Sequence, residues 1–239
     1  MSLWPDKWTP LMNDLEIPTA ELAQYIDHTL LKPEATPAQI EQLCAEAAQH
    51  SFKTVCVNSA MVASAASFLT GSGVGTCSVV GFPLGAMATA AKAFEAQTAI
   101  THGASEIDMV IAVGLVKAGD WDAVRSDIEA VFQACGSVPL KVIFETCLLD
   151  DNQIVRLCQL CTEVGVAFVK TSTGFGSGGA SERLVRLMAE SVGEGIAVKA
   201  SGGVRDVVSA RQMIAAGASR LGTSSGVAIV RGEAGKGNY

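Results

Sequence analysis

Short apolar runs of strand length alternate along this chain with longer segments in which apolar residues recur at helical spacing. Eight of these runs are predicted to be strands. They cover Tyr25–Leu31, Phe52–Val57, Gly75–Val80, Glu106–Ile111, Leu140–Glu145, Val166–Lys170, Ile196–Lys199 and Ser219–Gly222. Eight consecutive strand–helix repeats predict the α/β class and a single-domain (β/α)8 TIM barrel, with an open doubly wound sheet as the alternative.

Capping residues mark the helices between these strands. Thr36 followed by Pro37 is a typical helix start, and Asp150 opens the periodic segment NQIVRLCQLCTEVG. Gly165 and Gly217 are placed to end helices, because glycine readily adopts the left-handed conformation of a C-terminal cap.

The barrel is predicted to occupy residues 21–231. Residues 1–20 are interpreted as a helical N-terminal extension, in which Trp4 and Trp8 would share one face and pack against the core. Residues 232–239 form a glycine-containing tail that we expect to be flexible.

Two lysines end predicted strands that are otherwise apolar. Lys170 closes VAFVK and Lys199 closes IAVK, and a loop of small residues follows each. An ammonium group at the end of a buried strand is costly unless it is paired or used. Alternation along the strands places both lysines on the inward face, at matching positions of neighbouring strands. Burial and mutual repulsion are expected to lower the pKa of both, which makes a neutral, nucleophilic amine accessible.

Inward-facing polar residues on other strands complete the candidate site. Asp108 is suited to transfer protons while a lysine Schiff base forms, and Asp27 and Thr29 share the inward face of the first strand. The alternative is structural, because a lysine that ends a strand can reach solvent or pair with an acid. Lys141, at the start of its strand, is interpreted as part of such a structural ion pair.

Loops rich in glycine and serine follow the last three predicted strands. Their sequences are TSTGFGSGG, ASGGVRD and GTSSG. Glycine backbone N–H groups, hydroxyls and helix N-termini bind small anions, and barrels often hold phosphate after strands seven and eight. Three such loops at one end of a barrel predict a phosphate site.

Composition and charge limit the class of partner. The chain has 239 residues, of which 49% are hydrophobic and 17% charged, and its formal net charge is −7. No cluster of basic residues is present, so a nucleic-acid or anionic-membrane partner is not expected. No apolar run is long enough to span a membrane and the first residues lack a secretory pattern, so a cytoplasmic location is expected.

Neither a metal nor an organic cofactor is expected. The seven cysteines, an odd number, lie in apolar segments and are interpreted as buried thiols; the Cys158-x-x-Cys161 pair has no second pair or nearby histidine. The three histidines are not spaced as metal ligands, and no GxGxxG opens a helix after a strand, as a nicotinamide or flavin site requires.

Seven segments together resemble the deoxyribose-phosphate aldolase family. They are YIDHTLLKP, VCVNS, EIDMVI, KVIFET, FVKTSTGFGSGGA, VKASGGVR and GTSSGV, in family order between about residues 22 and 231. The resemblance implies a (β/α)8 barrel that cleaves 2-deoxy-D-ribose 5-phosphate reversibly to D-glyceraldehyde 3-phosphate and acetaldehyde without a cofactor. It also implies small phosphosugar and aldehyde substrates and a homo-oligomer, dimeric or tetrameric.

The resemblance also implies residue roles. Lys170 would form the Schiff base, Lys199 would lower its pKa, and Asp108 would transfer protons. Asp27, Thr29, Cys56 and Thr171 would line the substrate site. Phosphate would rest on Gly174, Gly202, Gly203, Val204, Arg205, Gly222, Ser224 and Ser225.

Two further features concern the same family. Phe175 stands where some members have a phosphate-binding lysine, so this site is expected to rely more on backbone and hydroxyl donors. Tyr239 ends the chain, as a tyrosine that assists proton transfer does in some members. Three alternatives stay open: another Schiff-base barrel aldolase, for example one for a keto-acid phosphate; a phosphosugar isomerase, which forms no imine; and a sugar-phosphate-binding barrel without catalysis.

Overall fold

The computed structural model describes residues 17–235, and in it eight parallel strands close into one barrel in chain order. The strands are β1 (Ile26–Leu30), β2 (Thr54–Val57), β3 (Gly75–Val80), β4 (Glu106–Val110), β5 (Leu140–Ile143), β6 (Phe168–Lys170), β7 (Ala197–Ser201) and β8 (Arg220–Thr223). The first strand pairs with both the second and the last, so the predicted barrel is confirmed and the open sheet is excluded. All eight predicted strands are present, with ends displaced by two residues at most.

Helices follow the strands and surround the barrel. They are α1 (Thr19–Leu22), α2 (Pro37–His50), α3 (Val62–Phe68), α4 (Thr89–Thr101), α5 (Val113–Ala118), α6 (Trp121–Cys135), α7 (Asp151–Val164), α8 (Glu182–Ser191), α9 (Val207–Ala215) and α10 (Gly226–Arg231). Both predicted helix starts are confirmed: Thr36 and Asp150 cap α2 and α7 by accepting hydrogen bonds from the backbone of Gln39 and Gln153. Within residues 17–235, none of the helices combines the length and apolarity needed to cross a membrane.

Apolar side chains form two separate layers. The larger lies between the outward faces of the strands and the helices, and includes Val142 of β5, Ile128 of α6 and Leu157 of α7. The smaller lies inside the barrel on the side of β1 to β3 and contains Leu31, Cys56, Cys77 and Val79, with Phe82 packed on it. Much of the remaining interior is charged, and this is where the candidate site lies.

The predictions for the chain ends stay predictions. Residues 1–16, which include Trp4 and Trp8, lie outside the described residues, as do residues 236–239 with Tyr239. The first described helix, α1 (Thr19–Leu22), crosses the predicted boundary between the N-terminal extension and the barrel.

Candidate active site

Charged side chains from six strands meet inside the barrel. They are Asp27 of β1, Glu106 and Asp108 of β4, Lys141 of β5, Lys170 of β6, Lys199 of β7 and Arg220 of β8. Six of them are buried almost completely and Glu106 is nearly so. Because buried charges are tolerated only when they are paired, their mutual contacts decide the properties of the site.

Asp108 bridges the two lysines that the sequence singled out. The strand register sets Lys170 directly beside Lys199, which agrees with the predicted matching positions. The Oδ2 atom of Asp108 accepts hydrogen bonds from the Nζ atom of Lys170 at 2.8 Å and from that of Lys199 at 2.7 Å. One carboxylate oxygen therefore holds both ammonium groups close together.

Lys141 belongs to the same network. Its Nζ atom lies 2.7 Å from Oδ1 of Asp108 and 2.6 Å from Oε2 of Glu106, and 3.9 Å from Oδ2 of Asp27. The ion pair expected for Lys141 is present, but it occupies the other oxygen of Asp108 and does not stand apart from the site. The reason is the register, which places Lys141 directly beside Asp108 on the next strand.

Arg220 connects Asp27 and Glu106 within the network, and the sequence analysis did not identify it as a site residue. Its Nη1 atom lies 2.7 Å from Oδ1 of Asp27 and 2.8 Å from Oε2 of Glu106. Its guanidinium lies over the ring of Phe168, 5.2 Å from the ring centroid. The sequence did contain an indication of this role. Side chains alternate along a strand, so Arg220 lies on the same face of β8 as Gly222, which was predicted to bind phosphate.

Both inward aspartates are held in the ionised form. Burial alone would raise the pKa of Asp108, but the ammonium groups of Lys141, Lys170 and Lys199 outweigh burial and hold that pKa well below its usual range. For Asp27, burial is likewise outweighed, chiefly by Lys199 and Lys141, so its pKa is also lowered. Asp108 is therefore a carboxylate that accepts protons from its surroundings only transiently.

The expected lowering of both lysine pKa values is wrong for Lys199. Burial alone would lower the pKa of Lys199, but the carboxylates of Asp108 and Asp27 outweigh burial and raise it well above its usual value. The contacts show why, because Nζ of Lys199 lies 2.5 Å from Oδ2 of Asp27 in addition to its bond to Asp108. Lys199 thus remains a cation beside Lys170.

This charge network should make the free energy of unfolding depend on pH in the acidic range. Folding lowers the pKa of Asp27 and Asp108 below the value of about 4 that applies to an unfolded chain. Their contribution is therefore complete above about pH 4 and is lost as the pH falls toward the folded-state values. Urea unfolding between about pH 5 and pH 3 should show a falling free energy of unfolding, with a weaker fall in Asp27→Asn. Equal pH dependence in the two proteins would contradict this origin.

The predicted substrate-lining residues occupy different environments. Cys56 is buried in the small interior cluster, where a hydrogen bond from Cys77 and the charge of Lys199 lower the pKa of its thiol. Thr29 is buried and donates to the backbone oxygen of Asp27 at 2.8 Å. The hydroxyl of Thr171 bonds the backbone of Ser201 in both directions, at 3.0 Å each, and so joins two adjacent strands.

A cavity of about 300 Å³ opens where the loops after β6, β7 and β8 meet. Its wall consists of Gly174, Gly176, Ser177, Gly178, Gly179, Ala180, Gly202, Gly203, Val204, Arg205, Thr223 and Ser224. Six of the eight predicted phosphate residues are among them. Gly222 and Ser225 lie outside this wall: Gly222 packs beneath it against Lys199, and Ser225 is buried with its N–H bonded to Thr223.

The first two of these loops touch through their backbones. The N–H group of Ala180 donates to the backbone oxygens of Ser201 and Gly202, at 3.0 and 2.9 Å. A Cβ atom on Gly179 would lie 2.3 Å from the Gly202 oxygen, so only glycine permits this approach. The contact fixes one wall of the cavity.

A carboxyl group that the sequence analysis did not assign to the site shapes the same loop. Glu145, two residues after the end of β5, is buried and has a positive φ of 53°, which is uncommon for a residue other than glycine. Its Oε2 atom accepts a hydrogen bond from Thr173, whose oxygen accepts in turn from the N–H of Phe175 at 3.0 Å. No sequence pattern could have indicated the backbone conformation of Glu145.

One side of the barrel mouth is apolar, and Phe175 reaches it from the loop that also lines the glycine-rich cavity. Phe175 packs edge to face on Phe82, with ring centroids 5.2 Å apart, and Phe82 rests on the interior cluster that includes Leu31 and Val79. The side chain that replaces the phosphate-binding lysine of some family members therefore packs against this apolar side.

One group of possible metal ligands occurs among residues 17–235. The ligand atoms of Cys56, Cys77 and Asp108 lie within 4.8 Å of one another. Asp108, however, already accepts bonds from three ammonium groups, and their positive charge opposes a divalent cation. The group fits a metal poorly and is better understood as the surroundings of Asp108.

Comparisons with known proteins agree with this architecture. A candidate deoxyribose-phosphate aldolase from Coccidioides immitis is 43% identical and covers 90% of this chain and 85% of its own, with a TM-score of 0.87. The tetrameric deoxyribose phosphate aldolase from Aeropyrum pernix is 34% identical and covers 89% of this chain and 91% of its own, with a TM-score of 0.84. Residues 21–232 match the family described as "DeoC/LacD family aldolase". The chain therefore belongs to the DeoC/LacD family of aldolases.

Proposed function

We propose that this aldolase cleaves 2-deoxy-D-ribose 5-phosphate reversibly to D-glyceraldehyde 3-phosphate and acetaldehyde, through a Schiff base on Lys170. The observation that carries the proposal is the position of Lys170: its amine shares one oxygen of Asp108 with Lys199, at the end of the barrel where the glycine-rich cavity lies. The names of the similar Coccidioides immitis and Aeropyrum pernix proteins support the substrate.

The charge balance of the network favours Lys170 as the nucleophile. Four cations face three carboxylates, so one proton is in excess when all seven groups are ionised. Lys170 contacts one carboxylate, whereas Lys199 contacts two and Lys141 three. Lys170 is therefore the lysine with the fewest carboxylate contacts, and a neutral lysine amine is the form that attacks a carbonyl.

The positions of these groups support the following sequence of steps. The Lys170 amine adds to C1 of the open-chain sugar, and loss of water gives a protonated imine. A base removes the proton from the C3 hydroxyl, the C2–C3 bond breaks, and its electron pair forms an enamine with C1 while glyceraldehyde 3-phosphate leaves. Protonation of the enamine at C2 and addition of water release acetaldehyde and the lysine. Asp108, acting through water, is assigned these proton transfers, and the Lys199 cation supports them.

The glycine-rich cavity is assigned to the substrate phosphate. Its wall offers backbone N–H groups and the serine hydroxyls of Ser177 and Ser224, which suits a small anion. Because Phe175 packs on Phe82, backbone and hydroxyl donors supply most of the binding.

Gly179→Ala should weaken phosphate recognition selectively. The added methyl group would separate the two loops that build the cavity wall, because it would meet the Gly202 oxygen at 2.3 Å. We expect KM for deoxyribose 5-phosphate to rise about tenfold or more, with little change in KM for deoxyribose. Steady-state kinetics with both sugars measure this, and Gly114→Ala serves as the control, because Gly114 lies in α5 and its added Cβ meets nothing within 4 Å. Equal losses for both sugars would contradict a phosphate role.

Borohydride trapping tests the imine directly. The protein is incubated with acetaldehyde, reduced, digested and mapped by mass spectrometry. We expect an ethyl group on Lys170, and none on Lys92, a lysine buried elsewhere beside Asp127. A sample reduced without acetaldehyde controls for background. If no lysine is modified, the Schiff-base mechanism fails, and an isomerase or a binding protein explains the site better.

Two finer statements complete the proposal. The tetrameric Aeropyrum pernix aldolase and the exposed apolar side chains Leu84, Phe94 and Val208 support a homo-oligomer, which light scattering after size-exclusion chromatography would measure. All seven cysteines are free thiols, six of them buried, which fits the reducing cytoplasm.

A further inference from the structure

Two buried serine hydroxyls in the candidate site have no hydrogen-bond partner. Ser172 and Ser201 are 0% and 1% exposed, and their Oγ atoms are unpaired within residues 17–235. Folded proteins keep few buried polar groups without a partner, because the lost hydrogen bonds to water are not replaced. A bound ligand is one means of satisfying such groups.

Both serines come two residues after the site lysines, toward the loops at the C-terminal ends of the strands. Ser201 is the last residue of β7 and follows Lys199 by two residues, so alternation puts it on the inward face, nearer the loops. Ser172 follows Lys170 by two residues, just beyond the end of β6. The structure agrees for Ser201: a Cβ atom on Gly222 would lie 2.3 Å from the Ser201 Oγ atom and 3.1 Å from Cε of Lys199. The hydroxyl therefore rests over Gly222, inside the barrel and beside the lysine chain.

The serines also border the anion cavity. Ser201 directly precedes Gly202, a residue of the cavity wall, and the Cβ atom of Ser172 lies 3.6 Å from the position a Gly202 Cβ would take. The two hydroxyls thus lie between the lysine amines below and the glycine-rich loops above.

This location corresponds to the middle of a phosphosugar. In the proposed function, on which this inference rests, the carbonyl carbon is bound to Lys170 and the phosphate occupies the cavity. We propose that Ser172 and Ser201 bind the hydroxyl groups on the carbons between these two ends, C3 and C4 of the sugar, and so select hydroxylated aldehydes. A serine hydroxyl both donates and accepts, as a sugar hydroxyl does. A substrate without that hydroxyl leaves the buried serine unpaired, which is the basis for rejecting it.

The test compares two acceptors that differ by one hydroxyl group. Addition of acetaldehyde to D-glyceraldehyde 3-phosphate is measured against addition to 3-oxopropyl phosphate, which has the same length and phosphate but lacks the hydroxyl at C2. The quantity is the ratio of the two kcat/KM values. That hydroxyl becomes the C4 hydroxyl of the sugar. We expect a preference for glyceraldehyde 3-phosphate that falls about fivefold to tenfold in the variant, Ser201→Ala or Ser172→Ala, whose serine binds the C4 hydroxyl, because it loses a neutral hydrogen bond.

Thr54→Val is the matched control. The Thr54 hydroxyl is also buried and unpaired, but it lies at the first residue of β2, at the opposite end of the barrel. It should leave the ratio unchanged, and thermal unfolding of all three variants verifies that they fold. The inference is overturned if both serine variants keep the ratio within about twofold, or if Thr54→Val lowers it equally. Failure of the proposed function looks different, since the unmodified protein would then turn over neither acceptor.

Discussion

Lys170→Ala is expected to lower kcat for deoxyribose 5-phosphate cleavage by at least about 10⁴-fold, because the other two lysines of the network cannot take its place. Lys199 is raised in pKa and bound to two carboxylates, and Lys141 contacts three. Neither can supply a neutral amine at moderate cost. Release of glyceraldehyde 3-phosphate, followed with a coupled dehydrogenase, measures the loss.

The fold should survive this change, because Lys170 makes one ion pair at the end of a strand and the alanine variant keeps every other contact of the network. Lys92→Met is the control, since Lys92 is a buried lysine that bonds Asp127 at 2.7 Å outside the barrel interior. It should lower stability and leave kcat within about threefold. Turnover by Lys170→Ala within about tenfold of the unmodified protein would remove Lys170 from the mechanism.

Asp108→Asn is expected to impair both turnover and stability. The substitution removes the charge that three ammonium groups share, and breaking a buried ion pair from one side costs about 3–5 kcal/mol. It also removes the group assigned to proton transfer, which contributes about 10²–10⁴-fold to rate. Urea unfolding and steady-state kinetics measure the two effects separately.

Asp127→Asn separates the catalytic loss from the structural one. Asp127 is also buried and pairs with a single lysine, Lys92, so its loss should destabilise the protein while kcat is retained. If both asparagine variants lose stability and neither loses kcat, Asp108 is structural and another group must transfer the protons.

Sequence periodicity was enough to locate the strands and the two lysines. Lys170 and Lys199 end successive strands with the same parity, and neighbouring parallel strands keep such positions side by side. The glycine-rich loops were also recognisable, because six of the eight residues expected to bind phosphate line the cavity. These features depend on local pattern and on the order of adjacent strands.

Contacts across the closed interior could not be predicted in this way. Alternation shows that Glu106, Lys141 and Arg220 face inward, but their relative heights depend on how the strands tilt when the barrel closes. For the same reason the pKa of Lys199 was expected to fall, although Asp108 and Asp27 reach it across the interior and raise that pKa. The left-handed backbone of Glu145 likewise follows from packing and not from a residue preference.

The network also joins the two ends of the barrel sequence. Asp27 bonds Lys199 and Arg220, which follow it by 172 and 193 residues. During synthesis, a chain that still lacks β8 has Lys141 and Lys199 to pair with Asp27 and Glu106, but it lacks the guanidinium that bonds both carboxylates, so their burial is then less favourable. The last strand to leave the ribosome therefore completes the charge network of the candidate site as well as the sheet.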